Sequence, residues 1–152
     1  MKGAKLNAAR VEVFGGVFFL AQHLTRRVDL ALEPLGLTTK QWLLLVVLVK
    51  KIAGESPTLS AAAKWYGSSR QNIKQIAEQL ERRGYLRLEP DPKDARALRL
   101  RLTPKIGVFE TRPELARQAA LMDEVFDWAE PADLEQFRNL LRRWISCFLP
   151  QD

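Results

Sequence analysis

The sequence predicts a mainly α (α+β) protein, with helices on either side of one small β-hairpin. Three observations carry this. Apolar residues recur at three- and four-residue steps through most of the 152 positions. The period drops to two only in "YLRLE" and "ALRLRLT". Between these runs lies "PDPKDAR", a turn-rich, charged connection. With 47% apolar and 28% charged residues, the composition is globular and sufficient for one domain with extra helices.

The first helix spans about residues 8–33, with Val13, Val17, Phe18, Ala21, Leu24, Val28 and Leu32 on one face and Gly15-Gly16 as a local weakness. Pro34 and Gly36 break the chain. Thr38 or Thr39 then caps a second helix that ends near Gly54. Pro57 and Thr58 lead into a short helix from Ser60 to Tyr66, stopped by Gly67. Ser69 is a good N-cap for the next helix, whose Ile73, Ile76, Ala77 and Leu80 form one apolar stripe ending at Gly84. In the hairpin, Leu86, Leu88, Leu98, Leu100 and Leu102 share a face that can pack on that stripe. The chain returns to helix from about Thr111 to Ala129, where Pro113 suits a start or a bend. A last helix, about 132–149, carries Leu134, Phe137, Leu141, Trp144 and Phe148 as a narrow seam of the kind that pairs helices.

Charge is unevenly placed. Residues 1–56 carry +4, residues 57–105 carry +6 and residues 106–152 carry −4. A basic centre with an isoelectric point near 9.8 favours a polyanionic partner. The eight-residue run "WLLLVVLV" is far short of a membrane span, and "MKGAKLNAARVEVFGG" lacks the apolar run of a signal peptide. A cytoplasmic protein is expected. A lone Cys147 beside a single His leaves no structural zinc set. There is no nucleophile–base set, paired-carboxylate cleft or phosphate-binding glycine loop either, so neither an enzyme nor a cofactor or metal site is expected.

The order helix, glycine turn, helix, strand, charged loop, strand is that of a winged helix-turn-helix. An α-helix fits the major groove of B-DNA with its first turn on the base edges. Ser68, Ser69, Arg70, Gln71 and Asn72 crowd that first turn, with Lys74 and Gln75 one turn on. Gln pairs with adenine and Arg with guanine through two hydrogen bonds each. At the hairpin tip Arg96 is placed to enter the minor groove, with Asp94 expected to orient it through a bidentate pair. Lys93 and Arg99, like Arg101 and Lys64, read equally as phosphate contacts or plain surface charge. The polar first turn also reads as an ordinary solvated helix start, and Arg96 as a solvated tip charge.

"LTTKQWLLLVVL", "TLSAAAKWYGSSRQNIKQIAEQLERRGYL" and "DPKDARALRLRLTPK" resemble the MarR (multiple-antibiotic-resistance-regulator) family of bacterial transcription factors. The third segment carries the wing spacing at Asp91, Asp94 and Arg96 and the closing Leu102-Thr103. Departures fall at Ala62 and Tyr66, where the family usually has Leu, and at Ser68, Ile106 and Pro113. The resemblance implies residues 8–36 as an N-terminal dimerisation helix, 37–105 as the winged helix-turn-helix DNA-binding domain and 106–152 as C-terminal dimerisation helices. Val13, Val17 and the last-helix seam would then join a homodimer on a pseudo-palindromic double-stranded-DNA operator, with repression as the outcome. It also implies a crevice for a small aromatic effector, for which His23, Arg26, Trp42 and Trp128 are candidates. All four also read as core or interface residues, the simpler assignment. Cys147 is expected to be a buried, inert thiol.

Two rival functions stay open on these residues. One is nonspecific or architectural DNA binding through the same basic wing. The other is a winged-helix protein-interaction module, to which Glu78, Glu81 and the acidic C-terminal third are suited.

Overall fold

A computed structural model describes residues 2–50, 56–94 and 96–149. The chain divides into two units, residues 1–39 and 40–152.

The first unit is built on α1 (Lys2–Leu32), which runs unbroken through Gly15-Gly16. A 3-10 turn, Glu33–Leu35, follows, closed by Gly36 at φ 65°. The chain then enters α2 (Thr39–Lys50). Thr39 does not cap α2 with its own side chain. Its N–H and hydroxyl both donate to Asp29 Oδ1, at 2.6 and 2.8 Å, so an acidic side chain of α1 takes the first N–H of α2. The expected end of this helix near Gly54 lies outside the described residues.

In the second unit α2 is followed by α3 (Leu59–Tyr66), α4 (Arg70–Arg82), β1 (Leu86–Pro90) and β2 (Leu98–Leu102). The strands pair antiparallel with Leu86 opposite Leu102, Leu88 opposite Leu100 and Pro90 opposite Leu98. The alternating leucines therefore do share one face, since side chains two apart point the same way. Leu86 and Leu100 are buried with Ile73, Ile76, Ala77 and Leu80 of α4, Leu59, Ala62 and Ala63 of α3, and Leu44, Leu45 and Leu48 of α2. Ala62 is fully buried, and the smaller side chain is accommodated there. Tyr66 sends its hydroxyl to the Lys40 carbonyl at 3.2 Å. Burial pushes that phenol up, so it stays a donor.

Beyond the hairpin, Pro104–Glu110 forms a 3-10 helix. Phe109 from this segment lies 6.3 Å from the Tyr85 ring, and the Lys105 ammonium sits 4.6 Å over the same ring. Next, α5 (Arg112–Phe126) starts at Pro113 rather than bending there, with Thr111 as its extended N-cap. Proline has no N–H to leave unsatisfied in a first turn. The last helix, α6 (Pro131–Ser146), ends three residues before the expected limit. Its final turn tightens, Cys147 and Phe148 donating to Trp144 and Ile145 three residues back. Phe148 thus lies past the helix end. Cys147 is exposed, contrary to expectation, and its thiol faces the Arg143 carbonyl at 3.4 Å. No residue of α5 or α6 is buried. Among the described residues no single helix is long and apolar enough to cross a membrane.

Candidate nucleic-acid interface

Two caps and one glycine set the helix pair. Thr58 Oγ1 accepts the Ala61 N–H at 3.2 Å and starts α3. Gly67 ends it at φ 76°, a left-handed conformation that costs side-chain-bearing residues, and its N–H returns to the Ala63 carbonyl. Ser69 Oγ accepts the Asn72 N–H at 3.1 Å, while Asn72 Nδ2 donates to Ser68 Oγ at 2.8 Å. Three of the five polar residues at this helix start therefore hold one another. Arg70 and Gln71 remain, exposed on the first turn, with Lys74 and Gln75 exposed one turn on. Lys74 shares its charge with Glu78 at 3.6 Å. The four project from the side of α4 opposite its buried stripe, a polar ridge held rigidly by the core behind it.

The hairpin is fixed beside this ridge by contacts that the spacing of residues did not reveal. Glu81 Oε1 accepts the Leu88 N–H at 2.7 Å, so an α4 carboxylate fills a ladder position on the outer edge of β1. Its helical position gave no sign of that use. The other edge is covered too: the Leu100 N–H donates to the Pro57 carbonyl at 2.9 Å, and Thr58 bridges Arg99. A two-residue pairing is too short to show as an alternating run. Gln41, almost wholly buried on α2, donates to Gln79 Oε1 of α4 at 2.7 Å.

At the tip, Asp91 Oδ1 accepts the N–H groups of Lys93 and Asp94 at 2.7 and 3.2 Å. Asp91 Oδ2 takes Arg99 Nε at 2.6 Å. The Lys93 N–H and the Arg99 guanidinium hold the Asp91 carboxyl below the usual carboxylate value, although burial opposes them. Lys93, Asp94 and Arg96 are exposed. The expected Asp94–Arg96 side-chain pair is not formed. Asp94 Oδ1 instead accepts the Arg96 backbone N–H at 2.9 Å, the short-range bond by which Asp closes a turn. Arg96 thus stands exposed on the tip. Arg99 also departs from its expected place as an outward charge: besides Asp91, its Nη1 donates to the Ser56 carbonyl at 2.7 Å. Arg101, by contrast, is largely exposed and paired to Glu89 at 2.9 Å.

The effector candidates are divided between the units, His23 and Arg26 in the first and Trp42 and Trp128 in the second. An open crevice of about 660 Å³ in the first unit is lined by Gln22, Thr25, Arg26, Asp29, Leu30 and neighbouring turn residues. Of the two candidates in that unit, Arg26 lines it and His23 does not. His23 is exposed and sits edge-on to Phe19 at 4.6 Å, Trp42 is half-buried, and Trp128 is 69% exposed with its indole N–H on the Val125 carbonyl. The dimerisation candidates Val13, Val17, Phe137, Leu141, Trp144 and Phe148 are all exposed, and Leu134 is half-buried.

A capped helix pair, a glycine turn and a leucine-faced hairpin anchored to the second helix define a winged helix-turn-helix, a fold whose second helix reads the DNA major groove. Residues 35–97 match the model of the MarR family. That stretch, which spans the helix pair and most of the hairpin, is thus similar to the winged-helix region of MarR family proteins. It is 29% identical over 99 residues to the transcriptional activatory protein BadR of Rhodopseudomonas palustris. That match covers 62% of this chain and 57% of BadR, so the chain spans little more than half the length of this relative. Sco3205, a MarR family transcriptional regulator from Streptomyces coelicolor solved in complex with DNA, has a similar fold. The TM-score is 0.74 at 22% identity, over 95% of this chain and 90% of that one. CouR from Rhodococcus jostii RHA1, bound to p-coumaroyl-CoA, aligns with a TM-score of 0.66 at 22% identity, over 85% and 88% of the two chains.

Proposed function

We propose that this protein is a cytoplasmic, homodimeric regulator that binds a pseudo-palindromic double-stranded operator and represses transcription. The observation that carries the reading is the exposed ridge of Arg70, Gln71, Lys74 and Gln75 on α4, with Arg96 and Lys93 on an anchored hairpin beside it. In this reading α4 meets base edges, the tip reaches the minor groove, and Ser68, Ser69 and Asn72 shape the helix start that approaches a phosphate. The apolar faces of α1 and α6 would meet a second copy, which sets half-sites about one helical turn, roughly 34 Å, apart. Residues 8–36 and 106–152 thus serve as the dimerisation helices and 37–105 as the reader.

Activation is the second reading, because BadR is named an activatory protein. A reporter carrying the operator over, and then upstream of, a promoter separates the two. We further assign the Arg26 crevice as the place where a small aromatic, anionic effector enters. Support comes from the crevice itself and from CouR, a protein of similar fold that holds p-coumaroyl-CoA. Such a ligand acts only if it binds two arrangements of the dimer with different affinity.

Selection of bound fragments from a random DNA pool tests the reading. A single enriched, two-fold-related sequence is expected. Salt-dependent retention without enrichment would mean architectural binding, and no retention would mean a protein-interaction module. With the selected sequence, Arg70→Ala and Gln71→Ala should relax base preference by about 1–3 kcal/mol at their positions. Arg96→Ala should weaken binding by a similar amount.

A further inference from the structure

The base of the hairpin holds a side-chain cluster that neither the α4 ridge nor the tip uses directly. Arg99 lies on β2 in register with Glu89, but its guanidinium is committed elsewhere. Nε donates to Asp91 Oδ2 at 2.6 Å and Nη1 to the Ser56 carbonyl at 2.7 Å. Asp91 holds the tip turn through the N–H groups of Lys93 and Asp94. On the other side, Ser56 lies two residues before Thr58, the cap of α3, and Thr58 itself bridges the Arg99 backbone. One guanidinium thus links the turn that carries Arg96 to the segment that leads into the helix pair.

We propose that Arg99 is a positioning residue: it fixes the hairpin tip relative to α3 and α4, and it acts on DNA binding through Arg96 rather than through a phosphate of its own. This rests on the DNA-binding reading above. The geometry supports the role in three ways. An isolated two-stranded hairpin is marginal in water, so whatever anchors it decides where its tip stands. The Asp91 side chain is 6% exposed and that of Arg99 24%. A phosphate contact would therefore have to pull the guanidinium from a short, charge-assisted bond. And the two bonds use two nitrogens of one planar fork, which a lysine ammonium does not reproduce.

The test uses the full chain, the selected operator and one salt concentration. Arg99→Lys keeps the charge and should still weaken binding about tenfold, the scale of one good contact. The Arg99→Lys/Arg96→Ala double variant should bind no more weakly than Arg96→Ala alone, because coupled residues are not additive. Base preference read by α4 should be unchanged. A direct phosphate contact gives the opposite: lysine retains affinity, and the two losses multiply. Asp91→Asn gives a test of opposite sign. It keeps an acceptor for the turn and removes a negative charge, so charge alone predicts tighter binding to DNA. Lost positioning predicts weaker binding, and a tighter Asp91→Asn variant would overturn the proposal. Thermal melts by circular dichroism confirm folding at the assay temperature; if Arg99→Lys is unfolded there, the Asp91→Asn/Arg96→Ala pair carries the additivity test. A wild-type chain without DNA affinity sinks the functional reading. A wild-type chain that binds while the variants behave additively sinks only the role of Arg99.

Discussion

Helices α4 and α6 are written alike and end differently. Each carries an apolar stripe at three- and four-residue steps, Ile73, Ile76, Ala77 and Leu80 on one, Leu134, Phe137, Leu141 and Trp144 on the other. All four residues of the α4 stripe are buried, whereas α6 buries none. The stripes do not explain this, because their local patterns are equivalent. The neighbours do: α4 lies between α3 and a leucine-faced hairpin, and α6 keeps Phe137, Leu140, Leu141, Trp144 and Ile145 exposed. A stripe declares that a helix face needs cover without saying which surface supplies it. For α4 the cover comes from its own unit, and for α6 we assign it to a second copy.

That contrast breaks most visibly with charge. If the proposed dimer forms through α6, Leu141→Asp or Trp144→Asp should convert it to monomer in sedimentation, while the melting of the monomer shifts by no more than about 0.5 kcal/mol, as at any exposed site. Protein that stayed dimeric would place the interface elsewhere. Next in size, Leu80→Ala should cost about 2–5 kcal/mol in urea denaturation at any oligomeric state, because it empties a closed core. If Leu80→Ala cost no more than Leu141→Asp does in the monomer, the two stripes would not differ as described.

Smaller effects sharpen the α4 side. Gly67→Ala meets no atom within 4 Å, so its cost comes from the backbone at φ 76° alone, about 1–2 kcal/mol in denaturant melts. The smallest concerns the hairpin. The Asp91 carboxyl is depressed below its ordinary 3.8. The stability it contributes is complete above that value and is lost as pH falls through the lower, folded one. Acid titration below about pH 4 should therefore destabilise the wild-type chain more steeply than Asp91→Asn. Equal acid profiles would show that Asp91 takes no part in this loss.

Several features were legible because their physics is local. Ser69 capping α4, Gly67 and Gly84 in left-handed turns, and the change of period at Leu86 all depend on a few neighbouring residues. So does the start of α5 at Pro113, although the choice between start and bend needed the Thr111 cap. The candidate site was legible in outline, since Arg70, Gln71, Lys74, Gln75 and Arg96 fall where a helix face and a hairpin tip expose them. What was not legible depends on partners far along the chain. Arg99 meets Ser56 43 positions away, Gln41 meets Gln79 38 away, and Asp29 of α1 takes the first N–H of α2.

The sequence by itself determined the main helices and the hairpin, the buried face of α4, the glycine stop of α3 and the Ser69 cap of α4, because periodicity and capping act within a turn or two of chain. Only the tertiary structure decided which charges are committed: Glu81 to a strand edge, Asp94 to its own turn, and Arg99 to the root of the hairpin. An arginine in an alternating strand has the same sequence signature whether it points at solvent or bridges two segments. Burial and distance separate the two cases, and both exist only once the chain has folded.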